Sequence, residues 1–273
     1  MKNRLFEQSR QISLICGVVL FLNATPLLMG EPTPAAASAF NSYTTTVESR
    51  LAQQHRSANA FLAPASSGPQ GAEARLRRGE LIIERLTPST GAEFSGALLH
   101  HWRGTAFAPG AKAADFELLL RDFNSYPQHF APQVLQARVL TQGGDRMEAW
   151  MRVRQRQVFR VVMDTAYDIT FGQLDVQHGY STSRSTRIAE IDSPGTSAER
   201  ALDVNEEHGF LWRLNTYWSC EERDGGLYLQ IETVSLTRSI PRGLGWAIRP
   251  WVESIPGESL DFTLRSLCKV LRK

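Results

Sequence analysis

Cysteine is scarce in this chain, with three among its 273 residues. No two of the three form a Cys-x-x-Cys pair. A disulfide-rich scaffold needs several closely spaced cysteines, and a four-thiolate zinc site needs two such pairs. The sequence therefore excludes both classes of protein.

A charge excess of either sign is also lacking. The chain carries 30 Lys and Arg against 28 Asp and Glu, a formal net charge of +2. Nucleic-acid-binding domains usually show a strong basic excess, so we expect no nucleic acid partner. With 42% hydrophobic residues, 20 Gly and 13 Pro, the composition is that of a globular protein rather than a collagen-like or low-complexity chain.

Motifs of the common cofactor and nucleophile sites are absent from the sequence. There is no G-x-S-x-G elbow and no G-x-x-x-x-G-K-S/T loop, and Gly243-Leu244-Gly245 lacks the third glycine of a dinucleotide-binding loop. His100 and His101 are neighbours on a predicted strand, so their side chains point to opposite faces and do not bind one metal ion as an i, i+2 pair would. We therefore predict no cofactor and no metal site.

A long apolar run lies near the amino terminus, over residues 12–22. Lys2, Arg4 and Arg10 precede it, and the small residues 37–39 follow it. A cationic segment, an apolar segment of about 7 to 15 residues and a small-x-small cleavage site are the three parts of a secretory signal peptide. An uncleaved membrane anchor is the alternative, but a spanning helix needs about 20 apolar residues. We predict that residues 1–39 are a signal peptide and that the chain is exported, to the periplasm or outside the cell.

Residues 40–93 are predicted to form an amino-terminal helix and a flexible linker. Tyr43, Val47 and Leu51 recur at i, i+4 and i+8, which indicates a short surface helix over residues 41–55. Residues 56–79 are rich in Pro, Ser and Gly and indicate a solvated linker. The alternative is that the arginines of this linker contact an anionic surface.

Residues 94–273 form the main predicted domain, which is rich in strands. We predict strands over residues 98–107, 134–141, 147–156, 159–171, 180–191, 210–221 and 227–240, with helices over 113–123 and from about 258 to the end. Glycine-rich turns at 143–145 and 224–226 give short links between strands. Neighbouring strands are therefore expected to be antiparallel.

The two middle strands alternate between apolar and polar residues. On the first of them Met147, Ala149, Met151 and Val153 share one side, and charged residues share the other. Residues i and i+2 of a strand lie on the same face of the sheet. The pattern predicts one dry face and one solvated face.

Four arginines fall on the predicted solvated face: Arg152, Arg154, Arg156 and Arg160. One interpretation is an ordinary solvated sheet surface whose charges are balanced by nearby carboxylates. The other is attraction to an anionic membrane, where each basic residue near the surface contributes about 1 kcal/mol. The sequence leaves both interpretations open.

Four segments carry a family resemblance: residues 99–102 (LHHW), 183–188 (SRSTRI), 209–218 (GFLWRLNTYW) and 235–241 (SLTRSIP). They resemble segments of exported bacterial members of the START-like (SRPBCC) superfamily, which includes the birch-pollen-allergen, polyketide-cyclase and coenzyme-Q-binding families. The resemblance covers residues 94–273. It implies an α+β helix-grip fold, in which a curved antiparallel sheet is wrapped around a long carboxy-terminal helix. It also implies a hydrophobic cavity between sheet and helix, which in the superfamily commonly holds lipids, sterols, polyketides or quinones.

Inward-facing residues of neighbouring strands are the predicted lining of this cavity. They are Met151, Val153, Val161, Met163, Tyr167, Trp212, Leu214, Trp218, Leu229 and Ile231. Methionine side chains adapt to a flexible guest, and tryptophans add broad apolar walls with one N–H donor each. We therefore expect an exported protein that binds a lipid, quinone or polyketide-like molecule. The alternative is a filled core without a cavity, in which case the arginine face would dock a partner.

A cyclase or hydrolase on the same fold is a further alternative. It would need a positioned acid and base, for which the candidates are His100, Tyr167, Asn215, Glu232 and Arg238. No two of them form a diagnostic pair, so no catalytic residue is assigned. By strand parity Glu232 points away from the cavity and is expected to be exposed or paired with an arginine. With the opposite parity it would be a buried carboxylate with a perturbed pKa.

Cys220 and Cys268 remain after removal of the predicted signal peptide, and both lie on predicted inward faces. We expect two buried free thiols, since a disulfide requires Cα atoms within about 7 Å of each other. A bridge between them is the alternative in an oxidising compartment.

The mature chain is expected to begin at or near Phe40, because Ala37 and Ala39 provide the small residues that signal peptidase requires. Amino-terminal sequencing of protein from a secreting host measures this directly. A mature chain that keeps residues 12–22 would contradict cleavage and would identify a membrane anchor.

Overall fold

The computed structural model describes residues 30–66, 68, 71–87, 93–155, 160–240 and 245–272, with the side chains of the last segment described from Glu253. The helices are α1 (Pro34–Gln54), α2 (Ala72–Arg77), α3 (Ala113–Arg121), α4 (Tyr126–His129) and α5 (Gly245–Leu271), with 3₁₀ helices at Ala58–Ala60 and Phe123–Ser125. The strands are β1 (Ile82–Arg85), β2 (Glu93–Phe94), β3 (Ala97–Pro109), β4 (Val134–Gly143), β5 (Arg146–Gln155), β6 (Val161–Asp175), β7 (His178–Asp192), β8 (Arg200–Ala201), β9 (Arg213–Arg223) and β10 (Gly226–Arg238).

The described strands form one large antiparallel sheet. Its order is β1-β3-β10-β9-β7-β6-β5-β4, with β2 paired to β3 and β8 paired to β7. β1 and β4 are the two edges, so the sheet curves without closing into a barrel. The carboxy-terminal helix α5 lies against β3 and β1. This arrangement confirms the predicted α+β helix-grip fold.

The sheet has two ends, which differ in what covers them. At one end, called here the hairpin end, lie the turns that join β4 to β5, β6 to β7 and β9 to β10. At the other, called here the open end, lie Ala97, Val153, Val161 and Arg238. The face of the sheet toward α5 is the inner face, and the opposite face is the outer face.

The turn predicted at residues 224–226 is confirmed. Asp224 and Gly225 join β9 to β10 with positive φ angles of 56° and 73°. Positive φ at both central residues gives a type I′ turn, whose twist matches that of the paired strands. Asp and Gly are among the residues that adopt this left-handed region most readily, so the local sequence determines the turn.

The inner face packs against α5 at the hairpin end. The buried stripe of the helix is Leu260, Leu264, Leu267, Cys268 and Leu271. Gly104 on β3 lets the helix approach closely, since a Cβ at this position would lie 2.7 Å from Leu264 Cδ1. The second half of the helix is therefore seated on the sheet.

α5 begins at Gly245, well before the start near residue 258 that the sequence predicted. The helix runs through Pro250 and Pro256. Proline inside a helix removes one backbone hydrogen bond and usually marks a helix end. Sequence reasoning therefore missed the first half of this helix.

On β5 and β6, for which a solvated face was predicted, the outer side chains Glu148 and Asp168 are exposed. Over β3, β9 and β10 the outer face is dry instead. α1 lies across it and buries Phe40, Val47 and Leu51 in a cluster with Leu99. The predicted apolar stripe identified the correct side of the helix. However, the helix begins earlier, at Pro34, and belongs to the core rather than to the surface.

The predicted linker over residues 56–79 is folded in its described part. Phe61 is fully buried, and Leu76 on α2 is 4% exposed. Leu76 packs with Phe107 and Tyr228 on the outer face. A solvated tether would leave such side chains in water, so the structure corrects that prediction. The edge strand β1 then joins this segment directly to the sheet.

The predicted cleavage position lies inside α1. The N-cap of the helix is Thr33, whose Oγ1 accepts a hydrogen bond from the Ala36 N–H at 3.1 Å, and Ala36 is fully buried. Cleavage before Phe40 would remove this first part of the helix. Residues 1–29 lie outside the described residues, so the signal peptide stays a prediction. None of the helices in the described ranges is long and apolar enough to cross a membrane.

Candidate functional site

The inner face divides into a packed part and a partly uncovered part. At the hairpin end Ala149, Ile169 and Leu229 are buried in the inner core, to which both α3 and α5 contribute. Toward the open end, four apolar residues of the same face are only half-buried: Met151, Val153, Val161 and Leu214. Ligand pockets are typically concave and mainly apolar. The open end of the inner face is therefore the candidate site.

Four of the ten residues predicted to line a cavity lie in the packed part instead. Tyr167, Trp218, Leu229 and Ile231 all belong to the inner core. Trp218 meets Phe116 of α3 edge-on, with 5.3 Å between the ring centroids. Burial raises the pKa of Tyr167 to about 12. These side chains form the closed end of the inner face.

Five of the ten lie toward the open end, on the predicted face. Met151 and Val153 on β5 are neighbours of Val161 and Met163 on β6, and Val153 pairs directly with Met163 in the β5–β6 ladder. Met163 is 7% exposed, whereas Leu214 on β9 is half-buried. The structure thus places these five on one face and toward one end.

The tenth residue, Trp212, lies on the outer face, and the prediction for it is wrong. Its backbone N–H donates to the Leu236 carbonyl at 2.8 Å, but β9 begins only at Arg213, so strand parity does not yet apply. The ring packs in the outer cluster with Leu236. Gly209 leaves room for it, since a Cβ there would lie 3.1 Å from the indole.

A polar row crosses the inner face between its two parts, and sequence reasoning missed it. Ser183, Thr216, Thr233 and Trp102 are paired in register across β7, β9, β10 and β3. All four are half-buried. Thr233 is two residues from Ile231 and therefore lies on the same face of the strand. The alternation that predicted the apolar inner residues would also have predicted this row, had the polar residues of the same face been included.

His100 lies on the inner face two residues from Trp102 and is 2% exposed. Its Nε2 lies 3.2 Å from Thr237 Oγ1. Burial, together with the charge of Arg85, lowers the pKa of His100 to about 4. The imidazole is therefore neutral at pH 7, when it can both donate and accept a hydrogen bond.

The indole N–H of Trp102 is a buried donor that has no hydrogen-bond partner among the described residues. α5 passes over the ring at Gly257, where a Cβ would lie 2.8 Å from Trp102 Cζ3. A buried donor without an acceptor carries a desolvation cost of about 1 to 3 kcal/mol. Trp102 is thus a polar group of the inner face that an acceptor atom would stabilise.

Glu232 lies on the outer face, as its parity predicted, and it is 2% exposed because α1 covers it. His101 Nε2 lies 3.0 Å from Glu232 Oε2, and Arg50 of α1 pairs with the same oxygen. Burial by itself raises the pKa of Glu232, but the His101 hydrogen bond and the Arg50 charge outweigh it and hold that pKa below its ordinary value. The expected pairing with an arginine is confirmed, and the carboxylate holds α1 on the sheet.

The acid and base candidates do not converge on one site. His100 and Tyr167 point inward, whereas Asn215 and Glu232 point outward under α1. Arg238 ends β10 at the open end. A catalytic pair would have to lie within hydrogen-bond reach of one substrate. The described geometry does not bring these five groups together.

The predicted basic stripe is partly neutralised. Arg152 forms a two-point ion pair with Asp164, at 2.7 and 3.0 Å, and a further pair with Glu199. Of the other three arginines, Arg154 is half-buried, Arg160 is exposed and Arg156 lies outside the described residues.

Cys220 and Cys268 are both buried and both free, as expected. Burial raises the pKa of the Cys220 thiol to about 12, so it stays protonated at neutral pH. Within the described ranges, no three His, Cys, Asp or Glu side chains are grouped so that they could hold a metal ion.

A separate small pocket of about 160 Å³ lies at the hairpin end, between α3 and the β6–β7 hairpin. Phe116, Leu120, Phe171 and Cys220 contribute to its walls. A cavity of roughly 150 Å³ holds a single benzene molecule. This pocket is therefore too small for a lipid chain, and none of the ten predicted residues lines it.

The buried neutral His100 predicts a loss of stability in mild acid. Its pKa is about 4 in the folded chain and about 6.5 in an unfolded one, so between these values only the unfolded state binds the proton. The free energy of unfolding of the wild type, relative to that of a His100→Gln variant, should therefore fall by about 1 to 2 kcal/mol from pH 7 to pH 5. Urea denaturation of both proteins at the two pH values measures this, and an unchanged difference would contradict a buried neutral imidazole.

No protein-family model matches the chain, and no curated protein matches it. Solved structures do show similarity. The STAR-related lipid transfer protein from Xanthomonas axonopodis is 16% identical with a TM-score of 0.47, over 70% of this chain and 99% of that chain. The Zhui aromatase/cyclase from Streptomyces sp. R1128 is 12% identical with a TM-score of 0.42, over 63% and 93%. Human STARD10 is 7% identical with a TM-score of 0.41, over 76% and 81%.

These likenesses have identities of 16% or less and TM-scores below 0.5, and lipid transfer or cyclisation belongs to those proteins. The topology of this chain stands on its own sheet order and on the seating of α5 against β3. By this topology the chain has a helix-grip fold.

Proposed function

We propose that this chain binds a hydrophobic small molecule on the inner face of its sheet, beneath α5. The observation that carries the proposal is the change in exposure along that face. Apolar residues are buried at the hairpin end, whereas Met151, Val153, Val161 and Leu214 remain half-exposed at the open end. Burial of apolar surface contributes roughly 25 cal/mol per Å². An apolar guest that covers these side chains gains this free energy.

The polar row gives the guest an orientation. Thr216 and Thr233 offer hydroxyls, and Trp102 offers a buried N–H without a partner among the described residues. His100 beside this row is neutral at pH 7. Neutral donors and acceptors suit a polar group without a full charge, such as a hydroxyl, a carbonyl or a protonated acid. A lipid, a quinone or a polyketide-like molecule has this combination of an apolar body and a polar group.

Binding without catalysis is the better-supported function. The two inner-face candidates for proton transfer are His100 and Tyr167, with pKa values of about 4 and about 12. A general acid or base works best when its pKa lies near the working pH. Neither group meets that condition at neutral pH.

We further propose that the chain carries this molecule outside the cytoplasm. The proposal rests on the cationic and apolar residues of the predicted signal peptide, 1–39. Its test is the amino-terminal sequencing given above.

Contact with an anionic membrane is proposed for the basic outer surface of β5 and β6. Arg152 is already paired with Asp164 and Glu199, so Arg154 and Arg160 would supply most of the attraction. Exposed charges are screened beyond about 8 Å at physiological ionic strength. Binding to anionic vesicles should therefore fall with added salt, and equal binding to neutral vesicles would overturn this proposal.

A Leu214→Trp substitution should block the inner face. The larger ring would occupy the space that the guest needs at the open end, where the leucine is half-buried. We expect the variant to bind a fluorescent fatty alcohol at least about tenfold more weakly than the wild type, a loss of about 1.4 kcal/mol. Fluorescence polarisation of the probe measures both affinities.

Leu140→Trp provides the matched control, because Leu140 is 49% exposed on the edge strand β4, away from α5. It should bind the probe like the wild type. Urea denaturation shows whether both variants keep their fold. Unchanged probe binding by a folded Leu214→Trp protein, or no binding by the wild type, would rule out the inner face as the site.

A further inference from the structure

A second pocket, of about 280 Å³, lies on the outer face of the sheet under α1. It opens where β7 and β9 separate. The backbone ladder between these strands ends at the pair Arg184 and Asn215. Beyond that pair the Leu214 N–H donates to Ser185 Oγ at 2.9 Å rather than to a backbone carbonyl. The two strands therefore part at this point and leave a polar opening that α1 roofs.

The wall formed by α1 is one face of the helix. Its pocket residues are Phe40, Asn41, Thr44, Thr45 and Glu48, at spacings that repeat every three to four residues. The Thr44 and Thr45 hydroxyls both donate to the Asn41 carbonyl, at 3.1 and 2.8 Å. The roof is thus polar and is fixed by its own hydrogen bonds.

The carboxylate in this wall is already neutralised. Glu48 accepts two hydrogen bonds from Arg184, at 2.7 and 2.9 Å, and a third from the Tyr217 hydroxyl at 3.0 Å. Asn215 Nδ2 donates in turn to that hydroxyl at 3.1 Å. The Glu48 carboxylate also raises the pKa of Arg184. Glu48 and Arg184 therefore form a fixed, charge-balanced pair that joins α1 to β7 at one side of the pocket.

Arg213 stands on the opposite wall and is not balanced in this way. Its Nη1 donates to the Trp212 carbonyl at 2.8 Å. Among the described residues no carboxylate lies within 4.0 Å of its guanidinium, which carries five N–H donors in all. The lining residues of the pocket thus carry two arginines against one glutamate, a net charge of +1.

We propose that this outer pocket binds a small oxyanion, a carboxylate or a phosphate ester with one negative charge, through Arg213. A guanidinium fork matches the two oxygens of such a group and binds it at two points. The Ser185 hydroxyl accepts a hydrogen bond from the Leu214 N–H. Its own proton therefore remains available for a hydrogen bond to an anion in the pocket, which Ser185 lines. The volume lies just below the roughly 300 to 1,000 Å³ typical of ligand pockets, which fits a compound of a few carbon atoms or a single head group.

The pocket is separate from the inner face, since it lies on the other side of the sheet. Its occupation does not depend on binding of an apolar guest. A failure of one proposal therefore leaves the other standing, and the two are tested with different probes.

The test is a calorimetric titration of the full chain with inorganic phosphate and with acetate at constant ionic strength, with chloride as the reference anion. We expect saturable binding of at least one of the two oxyanions and none of chloride. An Arg213→Gln variant should bind at least about tenfold more weakly, because a charged two-point contact is lost. Wild-type protein without saturable oxyanion binding would overturn the proposal.

Arg187→Gln is the matched control, because Arg187 is exposed on the neighbouring strand β7 and does not line the pocket. It removes the same charge and should change the affinity less than about twofold. An equal loss in both variants would mean non-specific attraction and would overturn the proposal. Arg213→Lys keeps the charge without the fork and should bind at an intermediate affinity, which separates loss of contact from loss of folding.

A vesicle arm identifies the source of the anion. Phosphatidic acid vesicles are mixed with the protein before and after addition of free phosphate. If free phosphate releases the wild-type protein from the vesicles but does not release the Arg213→Gln variant, the pocket is assigned to a lipid head group. Calorimetric binding of the free oxyanion without such competition would assign it to a soluble compound.

Discussion

A sheet with apolar side chains on both faces has to be covered on both faces, and the rest of this structure follows from that constraint. α5 closes the inner face at Leu264, and α1 closes the outer face at Leu51. The outer contact includes the carboxylate of Glu232, which is 2% exposed and meets His101 on the sheet and Arg50 on α1. Arg50 is 42% exposed, so water screens part of its charge. The apolar cluster with Leu51 and the contact with this carboxylate together fix the position of α1.

The inner face receives a less complete cover, and the candidate site arises there. The second half of α5 is seated on the sheet, where Gly104 allows a close approach to Leu264. Toward the open end the same face presents Leu214 half-buried, whereas Leu229 at the other end is fully buried. The polar row with Thr216 lies between these two environments. One strand face thus supplies both the stable core and the surface proposed to hold an apolar guest.

Much of the fold could be predicted because its causes are local. The period-two alternation around Met147 fixes which side chains share a face, and Asp224-Gly225 fixes a turn.

The errors in the prediction have a long-range cause. Nothing near Glu232 in the sequence signals that α1 will cover it, so strand parity predicted its direction but not its burial. For the same reason parity could not separate Leu214 from Leu229, since their different exposure depends on where α5 lies. Trp212 was misplaced because it precedes the strand whose parity was applied to it.

The central claim is that the inner face holds an apolar chain, and its most direct test is how affinity depends on the length of that chain. Isothermal titration with saturated primary alcohols that lengthen by one methylene at a time gives this dependence, since their hydroxyl is an uncharged polar group. Each methylene that is buried contributes about 0.8 kcal/mol, about a fourfold gain in affinity. We expect one guest per protein molecule, with an affinity that rises by about this factor per methylene until the face is filled and then levels off. An affinity independent of chain length, or binding that never saturates, would contradict it.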